Sequence, residues 1–201
     1  FHTALGDDSE GKSIIYTLNE LNIPTDNVRL IPSRETLTKI RFFGSRESLL
    51  DRGQILLQAD RGTNEPVSQD VSSKLASSAL KDLGDSCALV ISDYDKGVVS
   101  TEESLKLISE ANKIGIPIIV DPKLTGLEKS RGASVVIFEK RGMSLLARRI
   151  GLDVEDAAQS MLSEYSWKGI LVLGGINGVQ LYQRDRESIM IPCMAPAAEQ
   201  Q

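Results

Sequence analysis

The sequence predicts an α/β domain built on a mostly parallel sheet, and the stretch from Ala88 to Lys123 gives the main reasons. Two continuous apolar runs, Ala88–Ile91 and Ile116–Val120, flank an amphipathic segment of helical length. Runs without polar alternation are typical of strands buried on both faces, and the helix between them supplies the crossover that a parallel pair requires. We therefore expect a strand, a helix and a strand, with both strands ending on the same edge of the sheet.

The amino-terminal part adds a helix and a group of less buried strands. Phe1–Leu5 resembles the end of a strand, and Gly6–Gly11 opens a helix capped by Asp or Ser. The segments Val28–Ile31, Thr36–Phe43 and Gln54–Ala59 are predicted strands. Because the second of them alternates polar and apolar residues, it should be half exposed. We expect these strands, at about residues 28–60, to form a β lid or small antiparallel flap beside the main sheet.

The remaining elements continue the alternation of helices and strands. We expect helices at Ser68–Leu83, Arg141–Ile150 and Val154–Tyr165, a helical turn after Lys123, strands at Ser134–Phe138 and Gly169–Leu173, and a hairpin of Val179–Tyr182 with Ser188–Ile191. The domain would then span 1–192, and 193–201 would form a flexible tail, since this Ala-, Pro- and Gln-rich segment has no core pattern.

Composition excludes several classes of protein. A hydrophobic fraction of 41% and a charged fraction of 25% over 201 residues exclude a disordered chain. The net charge of -5 comes from interspersed acids and bases, so we expect no direct contact with nucleic acid. Two cysteines and one histidine argue against a disulfide framework or a zinc site. No apolar run approaches the roughly 20 residues of a membrane span.

Charged residues follow the two central strands. Asp93 and Lys96 come after the first apolar run, and Asp121 and Lys123 come after the second. Open parallel sheets bind ligands at the carboxyl ends of their strands, which makes these four side chains candidates for a binding site. The alternative is that they are solvated loop charges.

The residues around these charges resemble a known family. Ser92-Asp93-Tyr94-Asp95-Lys96-Gly97 and Asp121-Pro122-Lys123 are similar to stretches of the ribokinase-like (PfkB) carbohydrate kinases, most of all to the heptose-7-phosphate kinase domain of ADP-heptose synthesis. The likeness continues in register through Gly6-Asp7-Asp8, Thr36-Leu37-Thr38-Lys39-Ile40-Arg41, Arg131-Gly132-Ala133 and Leu171-Val172-Leu173-Gly174-Gly175. The order and spacing of these stretches carry the resemblance.

The resemblance implies a fold, an activity and a set of site residues. The fold would be a three-layer sandwich with a mostly parallel central sheet and a small β lid, here lacking the N-terminal strand and the C-terminal helical part. The activity would be transfer of the γ-phosphoryl group of ATP to a sugar, with Mg-ATP bound if the site survives. The implied residues are Lys39, Arg41, Asp93 and Lys96 for the substrate, Asp121, Lys123, Gly174, Gly175, Asn177 and Gly178 for the nucleotide, and Glu139 for a metal.

The sequence also departs from the family pattern. The family's Gly-Ala-Gly-Asp motif, which supplies the base aspartate, should follow the Ser188–Ile191 strand and is absent, so no catalytic residue is assigned. The magnesium-associated Asn-x-x-Glu motif aligns with Glu139-Lys140-Arg141-Gly142. A threonine is replaced by Leu173, and the glycine of the family's Asp-Pro-Lys-Gly stretch is replaced by Leu124.

These departures leave three interpretations open. The chain is a degenerate sugar kinase retained as a non-catalytic accessory or structural subunit of a larger complex. Alternatively, it is the central portion of an active ATP-dependent, heptose-phosphate-like sugar kinase in which Glu139 replaces the lost acid. A third interpretation is a regulator that binds a nucleotide or a sugar phosphate without turnover.

Partners and compartment follow from these interpretations. A missing helical layer would leave one sheet face bare, and a large exposed apolar patch is typical of an interface, so we expect a protein partner or a homodimer to cover it. The compartment is unknown from sequence: the cytoplasm for a bacterial protein, or an organelle matrix or stroma for one with a processed N-terminus.

Overall fold

The computed structural model describes residues 1–44 and 54–193, which form two compact units. The first unit comprises Phe1–Leu75 and Lys96–Val98, and the second comprises Ala76–Asp95 and the chain from Val99 onward. The predicted segment between the two lid strands and the predicted tail lie largely outside the described residues. None of the helices in the described ranges is long and apolar enough to cross a membrane.

The first unit contains two small sheets. Its elements are β1 (Thr3–Gly6), α1 (Ser9–Glu20), β2 (Val28–Ile31), β3 (Thr38–Gly44), β4 (Gln54–Arg61) and the first half of α2 (Gln69–Leu83). Strands β3 and β4 pair antiparallel, as predicted. The expectation that Val28–Ile31 belongs with them is wrong, because β2 pairs in parallel with β1 in a separate sheet. Alternation along β3 and β4 places Lys39 and Arg41 on one face of the pair and Ile40 and Phe42 on the other.

Asp8 fixes the start of α1. Its Oδ1 accepts hydrogen bonds from the backbone N–H of Gly11 and from the Thr36 hydroxyl, both at 2.8 Å, and its Oδ2 accepts from the Thr36 N–H at 2.7 Å. The backbone N–H groups of Thr36 and Gly11 and the Thr36 hydroxyl lower the pKa of Asp8. The predicted aspartate cap is therefore confirmed, and it also ties α1 to the segment before β3.

The sequence predicts an apolar stripe of Ile14, Ile15, Leu18 and Leu21 on α1, but the structure exposes two of these residues and leaves Ile15 and Leu18 only half-buried. Ile14 is 37% exposed and Leu21 is 64% exposed, while Gly11 is the buried residue of the helix. A Cβ at Gly11 would overlap the Gly6 carbonyl oxygen, so this helix approaches β1 at its glycine. Helix α1 is therefore held against β1 by close backbone contact at its first turn. Burial of its isoleucine and leucine side chains contributes less.

The second unit is organised around a six-stranded sheet. Its elements are β5 (Leu89–Asp93), α3 (Thr101–Ile114), β6 (Ile118–Pro122), β7 (Val135–Glu139), α4 (Lys140–Ile150), α5 (Val154–Glu164), β8 (Gly169–Leu173), β9 (Val179–Gln183) and β10 (Ile189–Ile191), with 3-10 turns at Leu127–Ser130 and Gly175–Asn177. The strand order is β10-β9-β8-β7-β6-β5. The four strands β5 to β8 are parallel, and the last two are antiparallel. The predicted strand, crossover helix and strand are confirmed.

The two faces of this sheet differ in burial. Ile91, Val120 and Val136 belong to the core on the face against which α3, α4 and α5 pack. On the opposite face, Val90 is 66% exposed and Leu173 is 42% exposed. The expectation that the central strands are buried on both faces is therefore wrong at Val90, because in the described part of the chain the helices of this unit cover one face.

Trp167 fills the core beside the turn that follows β6. It is 1% exposed, and its indole N–H donates to the Ser130 carbonyl at 2.9 Å. The Tyr165 ring stacks on it with the ring centroids 4.7 Å apart. Both aromatic residues therefore pack in or against the core, and the indole hydrogen bond holds the Leu127–Ser130 turn to it.

Candidate functional site

The carboxyl ends of β5, β6 and β7 surround a cavity of about 270 Å³. Four of the predicted site residues, Asp93, Asp121, Lys123 and Glu139, line this cavity together. The other lining residues are Tyr94, Pro122, Leu124, Ile137, Phe138, Arg141, Gly142 and Leu145. The cavity wall thus combines charged groups from the strand ends with an apolar portion.

Asp93 is the most deeply buried carboxylate at this edge. Its side chain is 2% exposed, and the Lys129 ammonium lies 2.8 Å from its Oδ2. Its Oδ1 accepts a hydrogen bond from the Asp95 N–H at 2.9 Å. Oδ1 is thus hydrogen-bonded, whereas Oδ2 makes no hydrogen bond of good geometry and is held by the charge of Lys129 at ion-pair distance. The ion pair offsets the cost of burying the carboxylate. The substrate-binding role implied for Asp93 stays a prediction.

Lys129 joins the loop after β5 to the turn after β6. Besides Asp93, its ammonium lies 3.2 Å from Asp95 Oδ1, and the Thr125 hydroxyl donates to Asp95 Oδ2 at 2.8 Å. Burial acts to lower the pKa of Lys129, but the hydrogen bonds and charges of Asp93 and Asp95 outweigh it, so the pKa is raised. Sequence reasoning missed Lys129, because nothing in its local pattern marks a partner 36 residues away along the chain.

Asp121 and Lys123 are more exposed than Asp93 and Lys129. Both residues are exposed, and the Lys123 ammonium lies 4.9 Å from the centroid of the Tyr94 ring. A cation over a tyrosine face is a weak attraction at an exposed position, so it leaves the lysine able to bind an anion. The nucleotide-binding roles implied for these two residues stay predictions.

Glu139 and Arg141 lie where β7 passes into α4. Glu139 is exposed and occupies the N-cap position, but its side chain makes no capping hydrogen bond. The first turn of α4 contains no acid, so Arg141 stands near the positive end of the helix dipole. Arg141 was not predicted as a site residue, although it lies within the segment Glu139-Lys140-Arg141-Gly142 that aligns with the family's Asn-x-x-Glu motif.

The side chains of the cavity wall do not by themselves form a complete metal site in the part of the chain that the structure describes. Among the described residues, no group of three His, Cys, Asp or Glu side chains is placed to hold a metal. Of the carboxylates in the cavity wall, Asp93 is already paired with Lys129. Magnesium usually keeps several waters and binds through one or two carboxylates together with the phosphates of a substrate, so Asp121 and Glu139 are the side chains of the wall that would contribute. The metal role implied for Glu139 stays a prediction.

The glycine-rich turn after β8 is closed on itself. The Gly174 N–H donates to the Gly178 carbonyl at 2.8 Å. Gly178 has φ 86°, and a Cβ there would overlap the Ile191 carbonyl oxygen, so a glycine is needed to pack β10 against this turn. Gly175 and Asn177 are exposed, and none of these residues is among those lining the cavity. The nucleotide-binding role implied for the turn stays a prediction.

The other three implied substrate residues belong to the first unit. Lys39 lies 2.8 Å from Asp60 across the β3–β4 pair, and this hydrogen bond lowers the pKa of Asp60. Arg41 is exposed on the same face, and Lys96 is half-buried. Their substrate-binding roles stay predictions.

Arg34 is a buried cation that sequence reasoning missed. It is 8% exposed and donates to the backbone carbonyls of Lys96 at 2.6 Å, Glu65 at 2.8 Å and Thr63 at 3.2 Å. Burial lowers the pKa of its guanidinium. Three carbonyl acceptors satisfy the guanidinium, so Arg34 holds loops of the first unit together.

Solved structures with the same fold define the class. An Arabidopsis thaliana ribokinase complexed with ribose and ATP matches with a TM-score of 0.69 at 18% identity, over 99% of this chain and 62% of that one. A ribokinase from Thermotoga maritima matches with a TM-score of 0.65 at 20% identity, over 98% of this chain and 60% of that one. The chain therefore has the ribokinase-like fold, over somewhat less than two thirds of the length of these enzymes.

Curated sequences indicate which members of this fold class the chain is similar to in sequence. The bifunctional protein HldE of Paramagnetospirillum magneticum is 28% identical over 198 residues, which cover 97% of this chain and 39% of the relative. The corresponding protein of Aliivibrio fischeri is 28% identical over 195 residues, covering 95% of this chain and 38% of the relative. No family model matches the chain. The predicted similarity to PfkB sugar kinases of the heptose-phosphate type is confirmed, and the chain spans about two fifths of the relatives' length.

Proposed function

We propose that this chain is a sugar-kinase-like domain that no longer transfers phosphoryl groups and that serves as a non-catalytic accessory or structural subunit of a larger complex. The observation that carries the proposal is the engagement of Asp93. A carboxylate that is 2% exposed and paired with Lys129 at 2.8 Å stabilises the fold and is not free to orient a sugar hydroxyl.

The substitutions inside the chain support the same conclusion. Where the family pattern has a magnesium-associated Asn and Glu, the cavity wall has Glu139 and Gly142, and Leu124 stands in place of a glycine beside them. Phosphoryl transfer depends on cations and metal ions that neutralise the developing charge. The wall keeps the cations Lys123 and Arg141, but it has lost the two residues that the family pattern associates with magnesium, so we infer that it no longer supplies the metal-dependent part of that stabilisation.

The partner that we propose is a protein chain, or a second copy, covering the open face of the second unit. Val90 and Leu173 lie on that face at 66% and 42% exposure. Exposed apolar surface of this kind is typical of an interface. Sedimentation of the purified protein tests whether the partner is a second copy of the chain. The variant Val90→Asp should then shift the dimer toward monomer.

The alternative function is an active ATP-dependent kinase of a heptose-phosphate-like sugar. It is favoured by the similarity to the bifunctional HldE proteins and by the exposed Asp121 and Lys123 at the cavity. A nucleotide phosphate placed against Lys123 would meet a cation that makes no buried ion pair.

Calorimetric titration with Mg-ATP separates the two functions. The unmodified protein is compared with Asp121→Ala and with Asp85→Ala, which removes the same charge from an exposed position outside the cavity. We expect no heat of binding at millimolar nucleotide from any of the three folded proteins. Binding that only Asp121→Ala abolishes, followed by ADP release when a sugar phosphate is added, would establish the kinase instead.

A further inference from the structure

The loop after β5 contains a residue with a strained backbone. Asp95 has φ 54°, in the left-handed region that residues other than glycine rarely adopt, although aspartate tolerates it better than most. Its neighbour Tyr94 lines the cavity. A conformation of this kind persists only where the surrounding contacts hold it. The contacts of Asp95 therefore determine the path of the backbone that carries Tyr94.

Hydrogen bonds and an ion pair hold Asp95 in this conformation. Its backbone N–H donates to Asp93 Oδ1 at 2.9 Å, which closes a turn of the Asx type. One oxygen of its carboxylate accepts from the Thr125 hydroxyl at 2.8 Å, and the other lies 3.2 Å from the Lys129 ammonium. Lys129 also pairs with the buried Asp93. Tyr94 thus stands between two residues that are bound to the same lysine.

Lys123 is held at its backbone but has a long side chain. Its N–H donates to the Asp93 carbonyl at 3.1 Å, and its own carbonyl accepts from the Gly126 N–H at 2.9 Å. The side chain is exposed, and its ammonium lies 4.9 Å from the centroid of the Tyr94 ring. The attraction of a cation to an exposed ring is weak, whereas ordering a lysine side chain costs conformational entropy. The ring can therefore orient the ammonium only if the ring itself is already held in place.

We propose that Asp95 and Lys129 are positioning residues, which hold Tyr94 in place so that its ring orients the ammonium of Lys123 in the cavity. The part of the wall formed by Tyr94 and Lys123 is then preorganised, because the cation is placed before a ligand arrives. The inference concerns the cavity of the free protein, so it goes beyond the proposed function and applies whether or not the chain transfers phosphoryl groups.

Nuclear magnetic resonance of the full chain with isotope-labelled lysine tests the contact between the ring and the ammonium. Protons above the face of an aromatic ring resonate upfield, so the ε-methylene protons of Lys123 should lie upfield of those of the other exposed lysines. Lys123→Arg removes this signal and so assigns it. Tyr94→Leu should move the signal downfield. A signal that stays in place would overturn the proposal, because the ring would then not orient the lysine.

Asp95→Ala tests the positioning role. It removes the carboxylate and makes the left-handed conformation less favourable, so we expect the Lys123 signal to move downfield by at least half of the displacement that Tyr94→Leu causes. The matched control is Asp185→Ala. Asp185 has the same φ of 54° in the exposed turn between β9 and β10 and is not among the residues lining the cavity, so this variant should leave the signal in place. A signal that Asp95→Ala does not move, or that both variants move equally, would overturn the proposal.

Two milder variants keep the test decisive if Asp95→Ala does not fold. Asp95→Asn keeps the size of the side chain and removes the charge that faces Lys129, and Thr125→Val removes one hydrogen bond to Asp95. We expect each variant to move the Lys123 signal downfield, by less than Tyr94→Leu does, while the emission of Trp167 stays that of the folded protein. A purely structural role of Asp95 would lower the Tm without moving the signal, and that result would overturn the proposal.

Discussion

The two sides of the sheet's carboxyl edge use charged residues in opposite ways. At the end of β5, Asp93 is buried and Lys129 holds it from the turn after β6. At the end of β7, Glu139 is exposed, and its side chain does not cap the helix that it precedes. The comparison teaches that a charge at a strand end is structural where its partners are buried with it, and is available to a ligand where it faces solvent.

Removing the Lys129 ammonium should give the largest effect. Lys129→Met leaves the Asp93 carboxylate buried without its cation, and breaking a buried pair in this way costs on the order of 3 kcal/mol of unfolding free energy. Urea denaturation followed by circular dichroism measures the loss. The control is Lys106→Met, which removes a lysine from the exposed face of α3 and should change little. Equal losses of unfolding free energy in the two variants would show that the Asp93–Lys129 pair stabilises the fold no more than an exposed lysine does.

Asp8 is a hydrogen-bonded carboxylate in the first unit, next to the exposed carboxylate of Asp7. Its removal should give the second-largest loss of stability. Asp8→Ala removes three hydrogen bonds at the start of α1, so the Tm at neutral pH should fall by several degrees. Because the pKa of Asp8 is lowered on folding, its stabilisation is present above its unfolded pKa of about 4 and is lost as the pH falls below that value. The difference between variant and unmodified protein should therefore shrink toward pH 2. Asp7→Ala, whose exposed carboxylate pairs with Lys12, is the neighbouring control.

Thr125 should show a smaller effect than Asp8. Thr125→Val keeps the shape of the side chain and removes the hydroxyl that donates to Asp95 at 2.8 Å. Since Asp95 retains Lys129 and is 46% exposed, we expect a loss of about 0.5–1 kcal/mol in urea denaturation. A loss as large as that of Lys129→Met would mean that the hydroxyl, and not the ammonium, organises this loop.

Glu139 should show the smallest effect of the series. Glu139→Gln removes an exposed charge without removing a helix cap, so the free energy of unfolding should change by less than about 0.5 kcal/mol. Thermal unfolding at neutral pH measures it. A large loss would place Glu139 with the structural charges and would remove the distinction between the two sides of the edge.

Most of the fold could be predicted from the sequence because its signals are local. Apolar periodicity gave the helices and strands, and β2 and β8 have the predicted bounds. Strands β5 and β6 extend two residues further than predicted, through Asp93 and Pro122. There the pairing of Asp93 with Pro122 continues the ladder beyond the apolar run, and side-chain polarity does not report such pairing.

The candidate site was less predictable because its decisive contacts are distant in sequence. The strand-end rule correctly brought Asp93, Asp121 and Lys123 to one cavity, which Glu139, implied by the resemblance, also lines. The rule failed for Lys96, which is not among the lining residues and belongs to the first unit. It could not show that Asp93 is paired with Lys129, which lies in an irregular turn, or that Arg34 would bind three carbonyl groups.

The position of Trp167 provides an optical probe within the molecule. It is the one tryptophan of the chain, and its indole bonds to Ser130 in the same turn that contains Lys129. Its emission therefore reports the environment of the second unit and of that turn, whereas circular dichroism reports helices and strands of both units. A shift to longer wavelength before the loss of ellipticity would reveal that the second unit opens first.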